Sequence, residues 1–168
     1  MSQPYLARPD MRYQASYLDA MREKIAEGDK PDWNLDKLDA HFDEYVQVIL
    51  ERESDPLPGL VPASDYWLIA EDSYAGRISL RHHLTPALRR YGGHIGYEVR
   101  PSRRRRGYGT LMCKLGIEKL RALGVQRILI TCDDDNIASY KIIEANGGIL
   151  EDKIENGRHA LTRRYWVG

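Results

Sequence analysis

The amino-acid sequence predicts an α+β fold with a mixed but mostly antiparallel sheet and flanking helices. Three observations predict this fold. Two helical patterns fill much of the first third, residues 94–132 read as strand, helix and strand, and the residues from 149 onward read as a hairpin. A strand–helix–strand unit has parallel strands and a right-handed crossover, whereas a hairpin pairs antiparallel strands. We therefore expect one parallel pair in an otherwise antiparallel sheet.

The N-terminal third predicts a faint strand and two helices. The strand is expected near residues 5–8. A helix is predicted over 13–27, because apolar residues recur on one face and Gly28 is a natural C-terminal stop. A longer amphipathic helix is predicted over 35–53, and the proline-rich residues 55–62 then interrupt regular structure.

The middle of the chain predicts a hairpin followed by a connection. Strands are expected over 66–70 and 76–84, joined by a turn at 71–75. Residues 85–93 form a connection with room for one helical turn.

The remainder predicts a strand–helix–strand–helix unit and a closing hairpin. Its elements are a strand over 94–99, a helix over 107–123, a strand over 126–132, a helix over 136–145 capped by Asp135, and strands over 149–154 and 159–167. The turn between the last two strands, residues 155–158, carries Asn156-Gly157, a strong short signal for a hairpin.

The composition limits the classes of protein to which the chain can belong. With 168 residues, 42% hydrophobic and 30% charged, the chain fits one soluble globular domain rather than a disordered segment. No apolar run approaches the ~20 residues of a membrane helix, and the N-terminus lacks a signal-peptide pattern, so we expect a cytoplasmic protein without a membrane partner. Cys113 and Cys132 lack metal-ligand spacing, so we expect reduced core thiols and no metal.

Charge is divided unevenly although the formal net charge is zero. Residues 1–75 hold 16 acidic and 7 basic side chains, and residues 76–168 hold 9 acidic and 18 basic ones. A polyanionic ligand therefore belongs to the second half. The acidic first half favours a cationic amine as a partner, and the simpler interpretation is two solvated helix faces.

Residues 103–110 are the strongest candidate for a binding site. Four consecutive arginines precede Gly107 and Gly109, where a helix begins. The first turn of a helix exposes unpaired backbone N–H groups at the positive end of its dipole, and glycine lets a ligand approach the main chain. Guanidinium groups hold phosphate bidentately. The loop therefore predicts a ligand with a polyphosphate group.

This loop fits one known signature and fails two others. It reads GYGTLM where a dinucleotide-binding loop needs GxGxxG, and no GxxxxGK[ST] pattern occurs. The run RRRGYG at 104–109 resembles, residue for residue, the acyl-coenzyme A signature of the GNAT N-acetyltransferases. The resemblance continues to Asn136, Ser139 and NGG at 146–148, and covers roughly residues 66–168. In the stretches GHIGYEVRPS and TCDDDNIAS, the chain is similar to a bacterial branch of predicted acetyltransferases.

The resemblance implies a GNAT-like acyl-CoA N-acyltransferase fold whose central parallel strands splay apart. It implies a single domain over 1–168, in which residues 1–65 supply acceptor-side helices and a loop and residues 66–168 form the acyl-CoA-binding core. It further implies acetyl-CoA as co-substrate and transfer of the acetyl group to a primary amine by direct attack in a ternary complex. A small amine, an amino acid, an antibiotic and a protein all remain open as the acceptor.

The resemblance also assigns residues to the coenzyme. The pantetheine arm would lie along the strand that ends at Val99, and the pyrophosphate would lie at the arginine–glycine loop. The implied coenzyme-binding residues are Val99, Arg100, Arg104, Arg105, Arg106, Gly107, Tyr108, Gly109, Thr110, Asn136 and Ser139. Asn136 is equally suited to cap a helix, and both interpretations stay open.

Acetyl transfer needs a base for the amine. Strand alternation sends His94, Gly96 and Glu98 to one side. Glu98 is the first candidate, since many GNAT proteins place a glutamate on this strand, although pairing with a neighbouring arginine explains it equally well. His94 titrates near neutral pH and is the second candidate, with a structural hydrogen bond as its alternative. His82 and His83 point to opposite faces, so at most one of them lines a site.

An acid for the leaving thiolate is less defined. Many GNAT proteins carry a tyrosine seven residues after the asparagine, where this chain has Ile143. Tyr140, Tyr108 and water remain candidates, as does an enzyme without an acid. This departure leaves open a second function, a catalytically degenerate domain that binds acyl-CoA as a sensor or scaffold.

Two further expectations concern macromolecular partners. The basic cluster at 103–106 is compatible with nucleic-acid binding, but the neutral net charge and the single basic patch argue against it. Homodimers are common among GNAT proteins, and the final strand offers an edge for one.

Overall fold

The computed structural model describes residues 3–157 and 160–168, and within them seven strands form two sheets with antiparallel neighbours. The first sheet contains, in spatial order, β1 (Tyr5–Ala7), β2 (Ala63–Ala70), β3 (Ser73–Arg81) and β4 (Ile95–Val99). The second contains β5 (Ile128–Asp133), β6 (Ile149–Glu155) and β7 (Leu161–Val167), with β7 in the middle.

Helices connect these strands. They are α1 (Gln14–Ala26), α2 (Leu35–Ala40), α3 (Phe42–Glu51), α4 (Pro86–Tyr91), α5 (Tyr108–Ala122) and α6 (Ile137–Ala145). Asn34, Thr85 and Asn136 each cap a helix by accepting a hydrogen bond from the third backbone N–H after them. Gly28, with φ 82°, follows the end of α1 as predicted. In the described parts of the chain, no helix is long and apolar enough to cross a bilayer.

The two sheets meet where β4 and β5 begin. The backbone N–H of His94 donates to Leu129 O at 2.7 Å, and the N–H of Leu129 donates to His94 Nδ1 at 2.9 Å. Beyond this junction β4 and β5 belong to different sheets and form no ladder in the described residues. The predicted fold class, with a central parallel pair that splays apart, is confirmed.

Two cores hold the layers together. The larger core lies where α5 packs against β3, β4 and β5, and includes Leu68, Ile78, Leu80, Ile95, Met112, Cys113, Leu120, Ile128, Ile130, Ile143 and Tyr165. Gly116 lets α5 approach β3, since an added Cβ would lie 2.6 Å from Ile78 Cδ1. The second core is aromatic, with Tyr17 of α1 stacked on Trp67 of β2 at 4.9 Å between ring centroids. This aromatic core fixes α1 and α3 on the face of the first sheet.

The long helix predicted over 35–53 is instead two helices. They are separated at His41, whose φ of −125° and ψ of 34° leave the helical region. Helical hydrogen bonds continue on both sides of His41, since His41 N–H donates to Lys37 O and Tyr45 N–H donates to His41 O. The apolar residues therefore keep helical spacing across the break, and their pattern does not reveal it. The break separates α2, which has no buried residue, from α3, which buries Phe42.

The hairpin of β2 and β3 is tighter than the predicted turn at 71–75. Glu71 and Asp72 have φ values of 52° and 56°, which makes a two-residue turn of the kind that fits hairpin twist. No glycine or asparagine marks residues 71 and 72, so the pattern predicted the hairpin but made its turn too long. The strand that follows ends at Arg81 rather than at residue 84.

Two predictions near the C-terminus are wrong. Asn136 rather than Asp135 caps α6, because the Asn136 side chain accepts from the N–H of Ser139. The final strand is no free edge, since β7 lies between β5 and β6. A dimer through the edge of the last strand is therefore excluded, and a homodimer through another surface stays a prediction. The predicted positions of Arg158 in the turn and of His159 in the last strand lie outside the described residues.

Candidate active site

The arginine–glycine loop places main-chain N–H groups at the start of α5. Arg105 and Gly107 have positive φ values of 62° and 78°, which turn the chain sharply before the helix. In the described chain, Leu111 has the first N–H of α5 with a main-chain partner, Gly107 O at 3.0 Å. An added Cβ at Gly107 would meet nothing within 4 Å, whereas one at Gly109 would lie 2.5 Å from Ile142 Cδ1. The loop is therefore open to a ligand on the Gly107 side and closely packed at Gly109.

A cleft of about 600 Å³ opens between this loop, the end of β4 and α6. A smaller cavity of about 280 Å³ is lined by residues of both β4 and β5, and it shares Tyr97, Asn136 and Ser139 with the cleft. Ten of the predicted residues line the cleft: Glu98, Val99, Arg104, Arg105, Gly107, Tyr108, Gly109, Thr110, Asn136 and Ser139. Tyr97, Ala138 and Ile142 complete its lining.

The main chain of β4 also faces the cleft. Arg100 N–H donates to Ala75 O of β3 at 2.9 Å. Because N–H groups alternate in direction along a strand, Val99 N–H points the other way, toward the open side of β4. This direction agrees with the predicted position of Val99 beside the pantetheine arm.

Two of the predicted coenzyme-binding arginines do not line the cleft. Arg100 donates through Nε and Nη2 to Glu23 Oε1 at 2.8 and 2.6 Å, which ties the end of β4 to α1. Arg106 lies 3.8 Å from Glu71. Arg104 pairs with Glu27 at 3.0 Å and still lines the cleft.

The cation that remains free in the loop is Arg105. It lines the cleft and forms no ion pair within the described residues. Arg104 and Arg105 therefore bring two guanidinium groups to the open N–H groups of α5.

Glu98 lies between two cations on the α1 side of β4. Lys24 of α1 donates to Glu98 Oε1, and Arg77 of β3 donates through Nε to Glu98 Oε2 at 3.1 Å. Burial favours the neutral carboxyl, but the two cations outweigh burial and hold the pKa of Glu98 below its usual value. Glu98 is therefore an ionised carboxylate. Its pairing with an arginine, which the sequence left open as the alternative to a catalytic role, is observed.

His94 belongs to the strand junction rather than to the cleft. Its imidazole is 5% exposed, and Nδ1 accepts the hydrogen bond from Leu129 N–H. Burial lowers the pKa of His94 to about 4, so the ring is neutral at physiological pH. These contacts support the structural interpretation of His94.

Tyr97, which the sequence patterns did not single out, lines the cleft together with Tyr108. Its hydroxyl donates to Ser139 O at 3.2 Å and lies 2.8 Å from Ser139 Oγ. Tyr140, by contrast, does not line the cleft and lies under the guanidinium of Arg163, 3.9 Å from the ring centroid. The sequence carries a signal for Tyr97, because strand alternation places residues 97 and 99 on the same side of β4.

Three other predicted groups take structural positions. Asn136 caps α6 and also lines the cleft, so its two interpretations are compatible. His82 Nε2 lies 2.7 Å from the buried Ser64 Oγ, which removes it from the cleft. Both cysteines are free, and burial raises the pKa of Cys113 to about 12. Among the described residues, no cluster of His, Cys, Asp or Glu could hold a metal ion.

Comparison with known proteins identifies a family and a fold. Residues 9–149 match the family model described as an acetyltransferase (GNAT) domain. Comparison with curated protein sequences gave no match. One similar solved structure is the microcin C7 self-immunity acetyltransferase MccE in complex with acetyl-CoA and AMP, at TM-score 0.70 and 18% identity, with 99% of this chain and 93% of that chain covered.

Two further similar structures are those of enzymes that acetylate a ribosomal protein. RimL, a ribosomal L7/L12 α-N-protein acetyltransferase in complex with coenzyme A, has TM-score 0.69 and 19% identity over 99% of this chain and 94% of its own. The acetyltransferase from Salmonella typhimurium that modifies the N-terminal serine of L7/L12 has TM-score 0.67 and 17% identity over 99% and 95%. At these identities the similarity shows the fold.

Proposed function

Because this chain belongs to the GNAT acetyltransferase family, a family of acyltransferases, we propose that it moves an acetyl group from acetyl-CoA to a primary amine by direct attack in a ternary complex. The observation that carries this proposal is the cleft between the end of β4 and α6, which sets a loop suited to an anion beside the strand that carries an ionised carboxylate, Glu98. In this proposal residues 1–65 of a single domain form the acceptor side, and residues 66–168 hold the coenzyme.

The residues present fit acetyl-CoA. The open side of Gly107, the N–H groups at the start of α5 and the guanidinium groups of Arg104 and Arg105 suit a pyrophosphate. The outward N–H of Val99 suits an amide or thioester carbonyl of the pantetheine arm. Asn136, at the far wall of the cleft, suits the same arm. Acetyl-CoA supplies the acetyl group as an activated thioester.

Glu98 accepts the proton that the acceptor amine loses. The amine nitrogen forms a bond to the thioester carbon, the carbon–sulfur bond breaks, and the coenzyme leaves as a thiolate. An amine is nucleophilic only when deprotonated, and a carboxylate at the end of β4 takes that proton directly or through one water. The ionised state of Glu98 supports this role, and the neutral, buried His94 does not compete for it.

Tyr97, with Ser139, supplies the proton for the thiolate. Both line the cleft and their hydroxyl groups lie 2.8 Å apart. Burial raises the pKa of Tyr97, so the phenol is protonated at neutral pH. Tyr108 lines the cleft as well, whereas Tyr140 does not.

A second candidate function is binding of acyl-CoA without turnover, as a sensor or scaffold. One observation favours it, since both carboxylate oxygens of Glu98 are engaged by Lys24 and Arg77. A base held in this way must exchange a partner for the amine or for water before it takes a proton.

Release of coenzyme A thiol from acetyl-CoA in the presence of a panel of amines tests the proposal. We expect thiol release that depends on both acetyl-CoA and an amine, with the acetylated amine detected by mass spectrometry. Saturable acetyl-CoA binding without thiol release for any amine would support the sensor instead. Absence of both would reject both functions.

A further inference from the structure

A small cavity beside the first sheet holds two arginines that the proposed reaction does not use. It has a volume of about 220 Å³ and lies between the proline-rich loop and the start of α4. Its lining consists of Arg52, Arg81, Gly59, Leu60, Val61, Ala63, Thr85, Ala87 and Leu88. The cavity therefore combines apolar walls with two guanidinium groups.

The two arginines differ in how their charge is balanced. Arg52 pairs with Asp65 of β2 at 3.1 Å. Arg81 donates through Nη1 to the carbonyl groups of Gly92 and Gly93 at 3.0 and 3.1 Å, and forms no ion pair within the described residues. Its other guanidinium nitrogens, Nε and Nη2, have no hydrogen-bond partner in that same part of the chain. Arg81 is therefore a half-buried cation that lacks a counter-charge.

Positively charged groups outnumber negatively charged groups around Arg81. Burial lowers the pKa of Arg81, and the nearby Arg52 and Arg77 lower it further, against the opposing effect of Asp65. Three guanidinium groups thus share this face of the sheet with two carboxylates, Asp65 and Glu98. A bound anion would relieve this excess of positive charge.

The position of Arg81 relates the cavity to the reacting amine. An ideal Cβ on Gly96 would lie 3.7 Å from Arg81 Nη2, so the guanidinium group lies beside Gly96. Gly96 and Glu98 share one side of β4, and residues two apart along a strand are separated by roughly 7 Å. Gly96 has no side chain to cover the guanidinium group from the Glu98 side.

On the basis of the proposed function, we propose that the acceptor carries an oxyanion, a carboxylate or a phosphate, that is bound by Arg81 and Arg52 in this cavity. In this proposal the spacing of Gly96 and Glu98 along β4, roughly 7 Å, sets the expected separation between the anion and the reacting amine. An extended dipeptide has this separation between its amino nitrogen and its carboxylate, whereas a free α-amino acid is too short. The acceptor class is therefore an amine with an anionic group about one peptide unit away.

Matched acceptors test this inference. Glycylglycine is compared with glycylglycinamide, and 3-aminopropyl phosphate with 3-amino-1-propanol, as substrates for thiol release from acetyl-CoA. We expect a kcat/KM at least tenfold higher for the anionic member of a pair, since a charge-assisted hydrogen bond is stronger than a neutral one. The two pairs distinguish a carboxylate from a phosphate.

Two variants locate the effect. Arg81→Gln removes the free cation. Ala87→Glu adds a carboxylate at an exposed position in the first turn of α4, where a negative charge is well tolerated, and Arg90→Gln, at an exposed position of α4 outside the cavity lining, is the control. We expect the preference for the anionic acceptor to fall at least tenfold in Arg81→Gln and Ala87→Glu and to persist in Arg90→Gln.

A binding measurement separates this inference from the proposed function. Thermal melting is measured with N-acetylglycylglycine and with its amide, which requires no turnover. A larger rise in melting temperature with the acid, lost in Ala87→Glu, supports the anion site even if no amine releases thiol. Equal effects of acid and amide on the wild-type protein, or a preference unchanged in both variants, would overturn the inference.

Discussion

Glu98 combines an ion pair and a proposed catalytic role in one side chain. Its pKa lies below the usual value of about 4.3 because Lys24 and Arg77 offset the effect of burial. Protonation of Glu98 therefore does not limit the rate near neutral pH. The pH dependence of kcat/KM follows the acceptor ammonium group instead, and the rate rises as that group loses its proton.

Glu98→Gln tests this role. The amide keeps the shape of the side chain but cannot accept the amine proton, so we expect kcat to fall about 10²-fold. The KM for acetyl-CoA should change little, because the loop that holds the coenzyme is untouched. Glu118→Gln, at an exposed position of α5, is the matched control. An undiminished kcat in Glu98→Gln would remove Glu98 from the mechanism.

Tyr97→Phe tests the proposed proton donor. Loss of the hydroxyl leaves the thiolate to water, and we expect kcat to fall by about tenfold or more. Tyr140→Phe should behave like the wild-type protein, since Tyr140 does not line the cleft. Steady-state thiol release measures both variants. Equal losses in the two variants, or none in Tyr97→Phe, would contradict the assignment.

At the scale of the elements, the junction of β4 and β5 connects the two sheets. The strands meet through His94 and Leu129 and then separate. Imidazole Nδ1 can accept the N–H of Leu129 only when that nitrogen carries no proton. The junction is therefore sensitive to the protonation of His94.

The pH dependence of stability follows from this bond. The pKa of His94 is about 4 in the folded protein and about 6.5 when unfolded, so the unfolded state binds the proton more strongly. The contribution of His94 to stability is present above about pH 6.5 and is lost as the pH falls toward 4. We expect a loss on the order of 2–3 kcal/mol over this range from urea unfolding.

His94→Gln provides the control for that titration. Glutamine offers a carbonyl oxygen to the N–H of Leu129 but has no titrating group in this range. We expect the variant to lose less stability than the wild-type protein between about pH 6.5 and 4. Parallel losses in the two proteins would show that other groups govern the acid transition.

The elements that were predicted well are those with strong local signals. The apolar periodicity of α5 and the strand pattern before it located both elements within one or two residues. The break at His41 was missed and the turn at Glu71 and Asp72 was predicted too long, because both depend on backbone angles that the side-chain pattern does not encode. The place of β7 between β5 and β6 is a long-range pairing and has no local signal.

At the scale of the whole molecule, the uneven charge is largely satisfied within the chain. Acidic residues of the first half pair with arginines of the second, as in Glu23 with Arg100, Glu27 with Arg104 and Glu71 with Arg103. The acidic first half therefore holds the helices against the loop of the coenzyme site. It gives less support to a cationic acceptor than the sequence implied.

Within the site, features built from consecutive residues were predicted, whereas features built from residues distant in the chain were not. The coenzyme loop was predicted because residues 104–110 are consecutive, and most of them line the cleft. The Tyr97–Ser139 contact and the cavity of Arg52 and Arg81 bring together residues from distant parts of the chain. Such groups become visible only once the sheet register and the helix positions are known.

The central claim is that the cleft beside α5 binds acetyl-CoA, and thermal melting tests it most directly. Gly107→Glu places a negatively charged side chain where the pyrophosphate is expected. Gly59→Glu is the matched control, since Gly59 has φ 82° and open space, like Gly107 with φ 78°, but lies outside the cleft.

We expect acetyl-CoA, at 100 times its dissociation constant, to raise the melting temperature of the wild-type protein and of Gly59→Glu by about 5 °C or more. Gly107→Glu should show no such rise, because its carboxylate repels the phosphates and fills the open side of the loop. An unchanged melting temperature in the wild-type protein, or an equal rise in Gly107→Glu, would contradict the assignment of the cleft.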